Sequence, residues 1–302
     1  MTAQIIDGKQ VAADMRAELK AEVAELANKG IVPGLAVVLV GEDPASKSYV
    51  TAKERACEEM GIYSDDNRLP ADTSQEDLMA LIDKLNKDPK INGILVQLPL
   101  PDGLNEAEVL LAIDPAKDVD GFHPVNVGKM VVGERAFLPC TPHGVIQLLI
   151  RNGVKLEGAE VVIVGRSNIV GKPLANMLIQ KNATGNATVT VCHTRTKNLA
   201  EHTKRADIVI AAAGRPDTVT ADMVKDGVVV IDVGVNRVGE KPSKKDPNRM
   251  VAILKGDVDF EAVKEKASLI TPVPGGVGPM TITMLLYNTV ESAKRAAGID
   301  EN

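Results

Sequence analysis

The stretch AEVVIVGRSNIVGKP, residues 159–173, decides the fold. Val161, Val162, Ile163 and Val164 are consecutive apolar β-formers running into Gly165, and Gly171 then opens the helical apolar pattern Leu174, Ala175, Met177, Leu178. Strand, glycine turn and helix in that order bring close-approaching backbone and a helix N-terminus to a diphosphate. The spacing is not that of the usual dinucleotide fingerprint, because Ser167 stands where a second glycine is expected. Nor is it a P-loop: five residues separate Gly165 from Gly171, and Lys172 is followed by Pro173 rather than Ser or Thr. Nucleoside triphosphate hydrolysis is disfavoured, and on this stretch alone a tight βα connection without a ligand stays open.

Downstream the alternation continues, with strands expected at 187–192, 208–213, 228–233 and 268–270 and a helix from Asn198. Short apolar strands between helical patterns signal a parallel sheet covered on both faces, here a Rossmann-like domain. The second strand runs out into His193, Thr194, Arg195 and Thr196, with no carboxylate to accept from ribose hydroxyls. Arg166 and Arg195 can instead hold an adenosine 2′-phosphate, since guanidinium matches phosphate in charge and geometry, so NADP is expected over NAD. The alternative is two solvated loop arginines.

The chain has 302 residues and 44% hydrophobic content, enough for two domains with their own cores. A formal charge of -6, without a large lysine or arginine block, argues against a nucleic-acid surface and favours small-molecule chemistry. Cys57, Cys140 and Cys192 are odd in number and lack metal-ligand spacing, as expected of reduced thiols in the cytoplasm. MTAQIIDGKQ lacks a signal-peptide pattern, and no apolar run is long enough to span a bilayer. With no Trp and 2% aromatics, Leu, Val, Ile and Met must fill the cores.

From the N-terminus, Val11, Met15, Leu19, Val23 and Leu26 mark an amphipathic helix, and a buried strand follows at 35–40. Tyr49 and Lys53 are then four residues apart on one helix face. They are either a surface pair or a ring that stacks on a flat substrate beside a proton-relaying lysine, and spacing does not choose between these. A strand at 93–98 carries Gln97 at its carboxyl end, where open α/β sheets place ligands; the alternative is a glutamine satisfied by loop backbone. In the loop 117–124, Asp118 and Asp120 precede Gly121 without further ligands for a metal, and His123 and His143 read as structural. Thr141 is the expected N-cap of a helix beginning at Pro142, where the chain crosses between domains. Residues 271–281 form a rigid Pro/Gly loop after the last Rossmann-like strand, and a terminal helix at 282–296 can return to the first domain. Residues 238–249, polar and basic, read as an exposed loop or hairpin without evident chemistry.

Taken together, YVTAK (49–53), GILVQLPLP (93–101), DVDGFHP (118–124), PCTPHG (139–144), GRSNIVGKP (165–173) and PVPGGVGPMT (272–281) resemble one family in order and spacing over essentially the whole chain. That family is the bifunctional methylene-tetrahydrofolate dehydrogenase/methenyl-tetrahydrofolate cyclohydrolases. The resemblance implies a folate-binding catalytic α/β domain of residues 1–141 plus 281–302, and a Rossmann-like NADP-binding domain of residues 142–280, with a cleft between them. It further implies a cytoplasmic homodimer acting on polyglutamylated tetrahydrofolates in one-carbon metabolism and purine biosynthesis, with no metal, membrane or nucleic-acid partner.

By position, Lys53 resembles the family's catalytic lysine, Tyr49 the ring stacking on the pterin, Gln97 the lysine's partner and Asp120 the carboxylate at the pterin edge. Leu98, Pro274, Gly275 and Gly276 fall at substrate positions, with Pro279 in the same loop. Cofactor positions are Thr141, Gly165, Arg166, Ser167, Ile169, His193, Arg195, Ala213, Gly214, Val233, Gly234, Val235 and Gly275. The implied chemistry is hydride transfer from the methylene carbon to NADP, then hydrolysis of the methenyl cation to formyl-tetrahydrofolate. The motifs leave open a dehydrogenase with a weak hydrolase.

Overall fold

β1 (Gln4–Ile5) and α1 (Gly8–Asn28) open the chain, whose computed structural model describes residues 2–243 and 250–299. Two units divide it: Met1–Ala12 with Thr141–Thr281, and Ala13–Cys140 with Ile282–Asn302. α1 therefore begins in one unit and ends in the other. Its stripe Met15, Leu19, Val23 and Leu26, spaced three to four residues apart, is buried as an amphipathic helix requires.

The unit holding residues 13–140 is built on a parallel sheet ordered β3-β2-β4. Its centre is β2 (Gly34–Val40), GLAVVLV, buried at every position, as a strand covered on both faces must be. α2 (Pro44–Met60) follows. Asp43 caps it by accepting from the Ser46 N–H at 2.7 Å, Pro44 opens it, and Gly61 at φ +78° closes it. β3 (Tyr63–Leu69) is the polar edge strand YSDDNRL, paired with β2 from Gly34↔Tyr63 to Val40↔Leu69. After α3 (Gln75–Lys87) comes β4 (Gly93–Val96), then α4 (Glu106–Ala112) and α5 (Pro124–Val132). Ala36, Val38, Ile94 and Val96 of the sheet pack with Leu78, Ile82 and Leu85 of α3 and Val109 of α4. Truncating one of these large aliphatic side chains to alanine costs about 2–5 kcal/mol.

The other unit takes in most of α6 (Cys140–Arg151) and continues with β5 (Glu160–Val164), α7 (Gly171–Leu178), β6 (Thr188–Cys192), α8 (Leu199–Thr203), β7 (Ile208–Ala211) and β8 (Val229–Asp232). The ribbon of β9 (Asn236–Pro242) and β10 (Met250–Lys255) then leads to α9 (Phe260–Lys264) and β11 (Leu269–Ile270). One parallel sheet runs β1-β11-β8-β7-β5-β6. Numbered within this unit from β5, the order is 2-1-3-4-5, a doubly wound arrangement whose switch point lies between β5 and β7. β1 completes the far edge by pairing Gln4 with Leu269 and Ile5 with Ile270. β9 and β10 pair antiparallel, so the polar segment from 238 is a two-stranded ribbon; its residues 244–249 lie outside the described residues.

α10 (Val277–Ala296) ends the fold. In the unit of residues 13–140 and 282–302, its Ser292 hydroxyl donates to Asn92 O at 2.6 Å, tying the helix to the turn before β4. No helix among the described residues is long and apolar enough to cross a membrane. The three cysteines are free and buried.

Candidate active site and cofactor cradle

Lys53 and Tyr49 stand on α2 one turn apart in very different environments: Lys53 is 8% exposed and Tyr49 50%. Gln97 directly follows β4. Its Oε1 accepts from Lys53 Nζ at 2.9 Å while its Nε2 donates to Leu98 O at 2.7 Å, so the amide orientation is fixed with the oxygen toward the lysine. Asp120 is delivered by a turn: a parallel bridge between Ile94 and Asp118 seats the loop beside β4, and the chain then turns back, with Gly121 N–H donating to Asp118 O at 3.1 Å. Burial pushes the Lys53 amine below its ordinary range, with the charges of Asp120 and Cys140 opposing. Burial pushes the Asp120 carboxyl up, with the Lys53 charge opposing. The proton affinities of the two groups are thus driven toward each other, which suits the lysine to giving and taking a proton.

The two aspartates of the loop do different work. Asp118 is 2% exposed and accepts from Phe122 N–H at 3.2 Å, His123 N–H at 2.9 Å and Asn126 Nδ2 at 2.8 Å, and burial raises its carboxyl to about 6. It folds the loop, whereas Asp120 faces the lysine. Gly121, at φ +73°, is required directly after Asp120 because a Cβ there would lie 2.7 Å from the Leu138 carbonyl carbon. His123 caps α5, its Nδ1 accepting from Val125 N–H at 3.1 Å. Two further residues complete the cluster. The Cys140 thiol donates to Val119 O at 3.4 Å beside both charged groups, and burial holds it well above the ordinary thiol range. Asn288 of α10 donates to Val119 O at 2.8 Å and Leu138 O at 3.0 Å, fastening the segments that carry Asp120 and Cys140. Sequence reasoning assigned neither residue a place. Asn288 is 169 positions from Val119, and no local pattern announces such a contact.

In the other unit, the expected cofactor residues, and the expected substrate residues Pro274 and Gly276, follow the carboxyl ends of strands in the one parallel sheet. Gly165, Arg166, Ser167 and Ile169 follow β5, His193 and Arg195 follow β6, Ala213 and Gly214 follow β7, Val233, Gly234 and Val235 follow β8, and Pro274, Gly275 and Gly276 follow β11. Thr141 is the exception. α6 starts at Cys140, so Thr141 is a helical residue and not the N-cap, and its hydroxyl pairs with that of Thr281 at 2.9 Å. The residue before it already has helical backbone, which removes the capping position the Thr-Pro pair suggested.

The turn after β5 is closed tightly on its own backbone and on the turn after β7. A Cβ on Gly165 would lie 2.0 Å from Ala212 O, and one on Gly171 2.2 Å from Gly165 O, so only glycine lets the turn close. Val170 gives α7 no side-chain cap; Ser167 instead accepts from Val170 N–H through Oγ and from Lys172 N–H through its carbonyl oxygen, both at 3.1 Å, which pins the turn to the start of the helix. Gly165 N–H donates to Cys192 O at 2.9 Å, setting the loops after β5 and β6 side by side. Arg166 and Arg195 are exposed on these two loops, and the second is ordered by His193 Nδ1 accepting from Arg195 N–H at 3.1 Å. Positive side chains and no carboxylate after β6 fit a dinucleotide bearing an extra phosphate. In the loop after β11, a Cβ on Gly276 would lie 2.7 Å from Pro272 O, and one on Gly8 at the start of α1 1.8 Å from Gly276 O. Among the described residues no three His, Cys, Asp or Glu side chains gather in a way that could hold a metal.

Comparison with known proteins gives two family models. The tetrahydrofolate dehydrogenase/cyclohydrolase catalytic domain matches residues 6–120, and the tetrahydrofolate dehydrogenase/cyclohydrolase NAD(P)-binding domain matches residues 139–297. The chain is 61% identical over 300 residues to a bifunctional protein FolD of Dehalococcoides mccartyi, covering 99% of each chain. Among solved structures it is similar to the bifunctional FolD of Campylobacter jejuni, with TM-score 0.89, 50% identity and coverage of 97% and 99% of the two chains. A Trypanosoma brucei methylenetetrahydrofolate dehydrogenase-cyclohydrolase, complexed with NADP cofactor and inhibitor, has TM-score 0.91 and 39% identity, with coverage of 98% and 99%.

Proposed function

The chain belongs to the tetrahydrofolate dehydrogenase/cyclohydrolase family, and from that premise we propose how its residues divide the work. The protein is a bifunctional one-carbon enzyme. It oxidises 5,10-methylenetetrahydrofolate to 5,10-methenyltetrahydrofolate with NADP and hydrolyses the product to 10-formyltetrahydrofolate. NADP, when bound, supplies the hydride acceptor; the protein supplies orientation and proton movement.

The observation that carries the catalytic assignment is the buried Lys53 amine at 2.9 Å from Gln97 with its proton affinity lowered. In the hydrolytic step a water oxygen bonds to the methenyl carbon and Lys53 takes the proton that water loses; that proton is returned to N5 as the carbon–N5 bond breaks, and the remaining hydroxyl proton leaves to solvent as the formyl C=O forms. Gln97 aims the lysine. Asp120 accepts from the donor-rich edge of the pterin and, as an anion, keeps Lys53 from losing its proton permanently. The half-exposed ring of Tyr49 has a free face for the pterin. Arg166 and Arg195 take the 2′-phosphate, and the turn from Gly165 to Gly171 takes the diphosphate. Leu98 and the loop Pro274–Gly275–Gly276 border the substrate.

Folates with polyglutamate tails are the proposed substrates, and a homodimer through the Rossmann-like unit is the proposed assembly. A cytoplasmic setting is supported by three cysteines that remain free. The test is to assay each step alone: reduced cofactor from methylenetetrahydrofolate and NADP, and loss of methenyltetrahydrofolate absorbance without cofactor. Both activities are expected in the intact chain; loss of only the second on altering Lys53 or Gln97 assigns them as proposed.

A further inference from the structure

We propose that Asp257 is the positioning residue of the cofactor cradle, a buried carboxylate that fixes the turn after β7 and, through that turn, the wall against which the glycine turn closes. The inference rests on the reading that this end of the parallel sheet takes NADP.

Asp257 is 0% exposed, and hydrogen bonds meet it from several loops. Its Oδ2 accepts from Ala213 N–H at 2.6 Å and Gly214 N–H at 2.8 Å. Its Oδ1 accepts from Asn236 Nδ2 at 2.8 Å, and its carbonyl oxygen accepts from Thr218 N–H at 2.7 Å. Its own N–H donates to Asp232 Oδ1 at 2.9 Å, an oxygen that also takes Gly234 N–H at 3.0 Å. Asp232 N–H in turn donates to Thr271 Oγ1 at 2.7 Å, at the end of β11. The loops after β7, β8 and β11 are therefore one hydrogen-bonded assembly with Asp257 at its centre.

Two glycines record the space these carboxylates occupy. A Cβ on Gly234 would lie 2.2 Å from Asp257 Cγ, and one on Gly256 1.9 Å from Asp232 Oδ2. The link to the cradle is one residue long: Ala212, whose carbonyl oxygen is the atom a Cβ on Gly165 would strike at 2.0 Å, directly precedes the Ala213 that Asp257 holds. Because Asp257 uses the N–H groups of Ala213 and Gly214, this turn forms a wall and not a donor to the ligand. The chemistry demands a carboxylate. All three side-chain partners are donors, and an amide would turn an NH2 group against one of them.

The experiment is titration of the intact protein with NADPH, read by its fluorescence, for wild type, Asp257→Asn, and the exchange Asp257→Asn with Asn236→Asp. The exchange lets the new amide oxygen serve Ala213 and Gly214 while its NH2 meets a carboxylate at 236, and it gives up the longer bond, 3.2 Å, from Asn236 Nδ2 to Lys255 O. Asp257→Asn is expected to raise the dissociation constant about tenfold or more, the effect of losing one charge-assisted hydrogen bond. KM for NADP should rise more than kcat falls, and the exchange should recover most of the affinity. Binding within about twofold of wild type in Asp257→Asn overturns the proposal, as does an exchange no better than the single variant. Circular dichroism checks folding; should Asp257→Asn fail to fold, the exchange variant must fold and bind NADPH, and its failure to do so also overturns the proposal. Wild-type protein that does not bind NADPH sinks the cofactor reading instead.

Discussion

Lys53→Met separates the two reactions. Methionine keeps the length of the side chain and its buried apolar stem, but removes the ammonium that donates to Gln97 Oε1 at 2.9 Å. Gln97 stays anchored through Leu98 O at 2.7 Å, so the substrate surface is retained. General acid–base catalysis contributes about 10²–10⁴-fold, or ~3–5 kcal/mol of barrier, and this is the expected loss in cyclohydrolase kcat. Stability falls, by up to about 3–5 kcal/mol, because the buried Asp120 carboxylate loses the cation that faces it. Hydride transfer asks no proton of Lys53, so the dehydrogenase should fall by less than the hydrolase, and methenyltetrahydrofolate should accumulate. With the lysine acting as base, wild-type hydrolysis rises with pH as the neutral amine is populated; Lys53→Met lacks that limb. Stopped-flow absorbance of methenyltetrahydrofolate across pH measures both. Hydrolysis at the wild-type rate, or the same pH limb in the variant, would remove Lys53 from the mechanism.

Arg195→Gln should weaken NADP binding about 10–100-fold, the loss of a charge-assisted contact to phosphate, and leave NAD binding nearly unchanged; calorimetry with both cofactors checks it. Asp232 bears on pH: burial raises its carboxyl from 3.8 to about 6, so the folded protein binds the extra proton between these values. Its contribution to stability therefore falls as pH rises through that window, by up to about 3 kcal/mol, and is lowest above it. Urea unfolding from pH 4 to 7 should show this slope in wild type and a shallower one in Asp232→Asn, where Asp118, also raised to about 6, still contributes. Gly121→Ala puts a Cβ on a residue at φ +73° and 2.7 Å from backbone, so a stability loss of about 2 kcal/mol or more is expected, with hydrolysis reduced because Asp120 is displaced. A Tm within a degree of wild type would contradict it.

What the sequence makes legible is what local pattern encodes. The valines and glycines of 159–173 specify a strand, a turn and a helix, and the structure has β5, the turn and α7 there. β2, apolar at every position, is equally plain, whereas β3 is not: YSDDNRL has no apolar face and is a strand because β2 offers it a partner edge. β1 is two residues long and exists only through its pairing with β11. Within the site, the spacing of Tyr49 and Lys53 gives a shared face but not its burial, which sets the lysine's chemistry. Asp118 and Asp120 look alike in sequence; the bridge at Ile94 and the backbone donors of Phe122 and His123 distinguish them. Cys140, Asn288, Asp232 and Asp257 act through contacts between distant segments, which no periodicity carries. The DVG and GDV triplets, each an aspartate near a glycine, are the local trace of the last two.

The most direct test of the account is one absorbance experiment on the intact protein with methylenetetrahydrofolate and either NADP or NAD, following reduced cofactor and methenyl intermediate separately. Turnover with NADP well above that with NAD, and little methenyl build-up, is the predicted result. It would join the arginines after β5 and β6 to the lysine of α2 in one bifunctional enzyme. Methenyl accumulation in wild-type protein would contradict the hydrolytic role given to Lys53, and no turnover with either cofactor would contradict the enzymatic reading altogether.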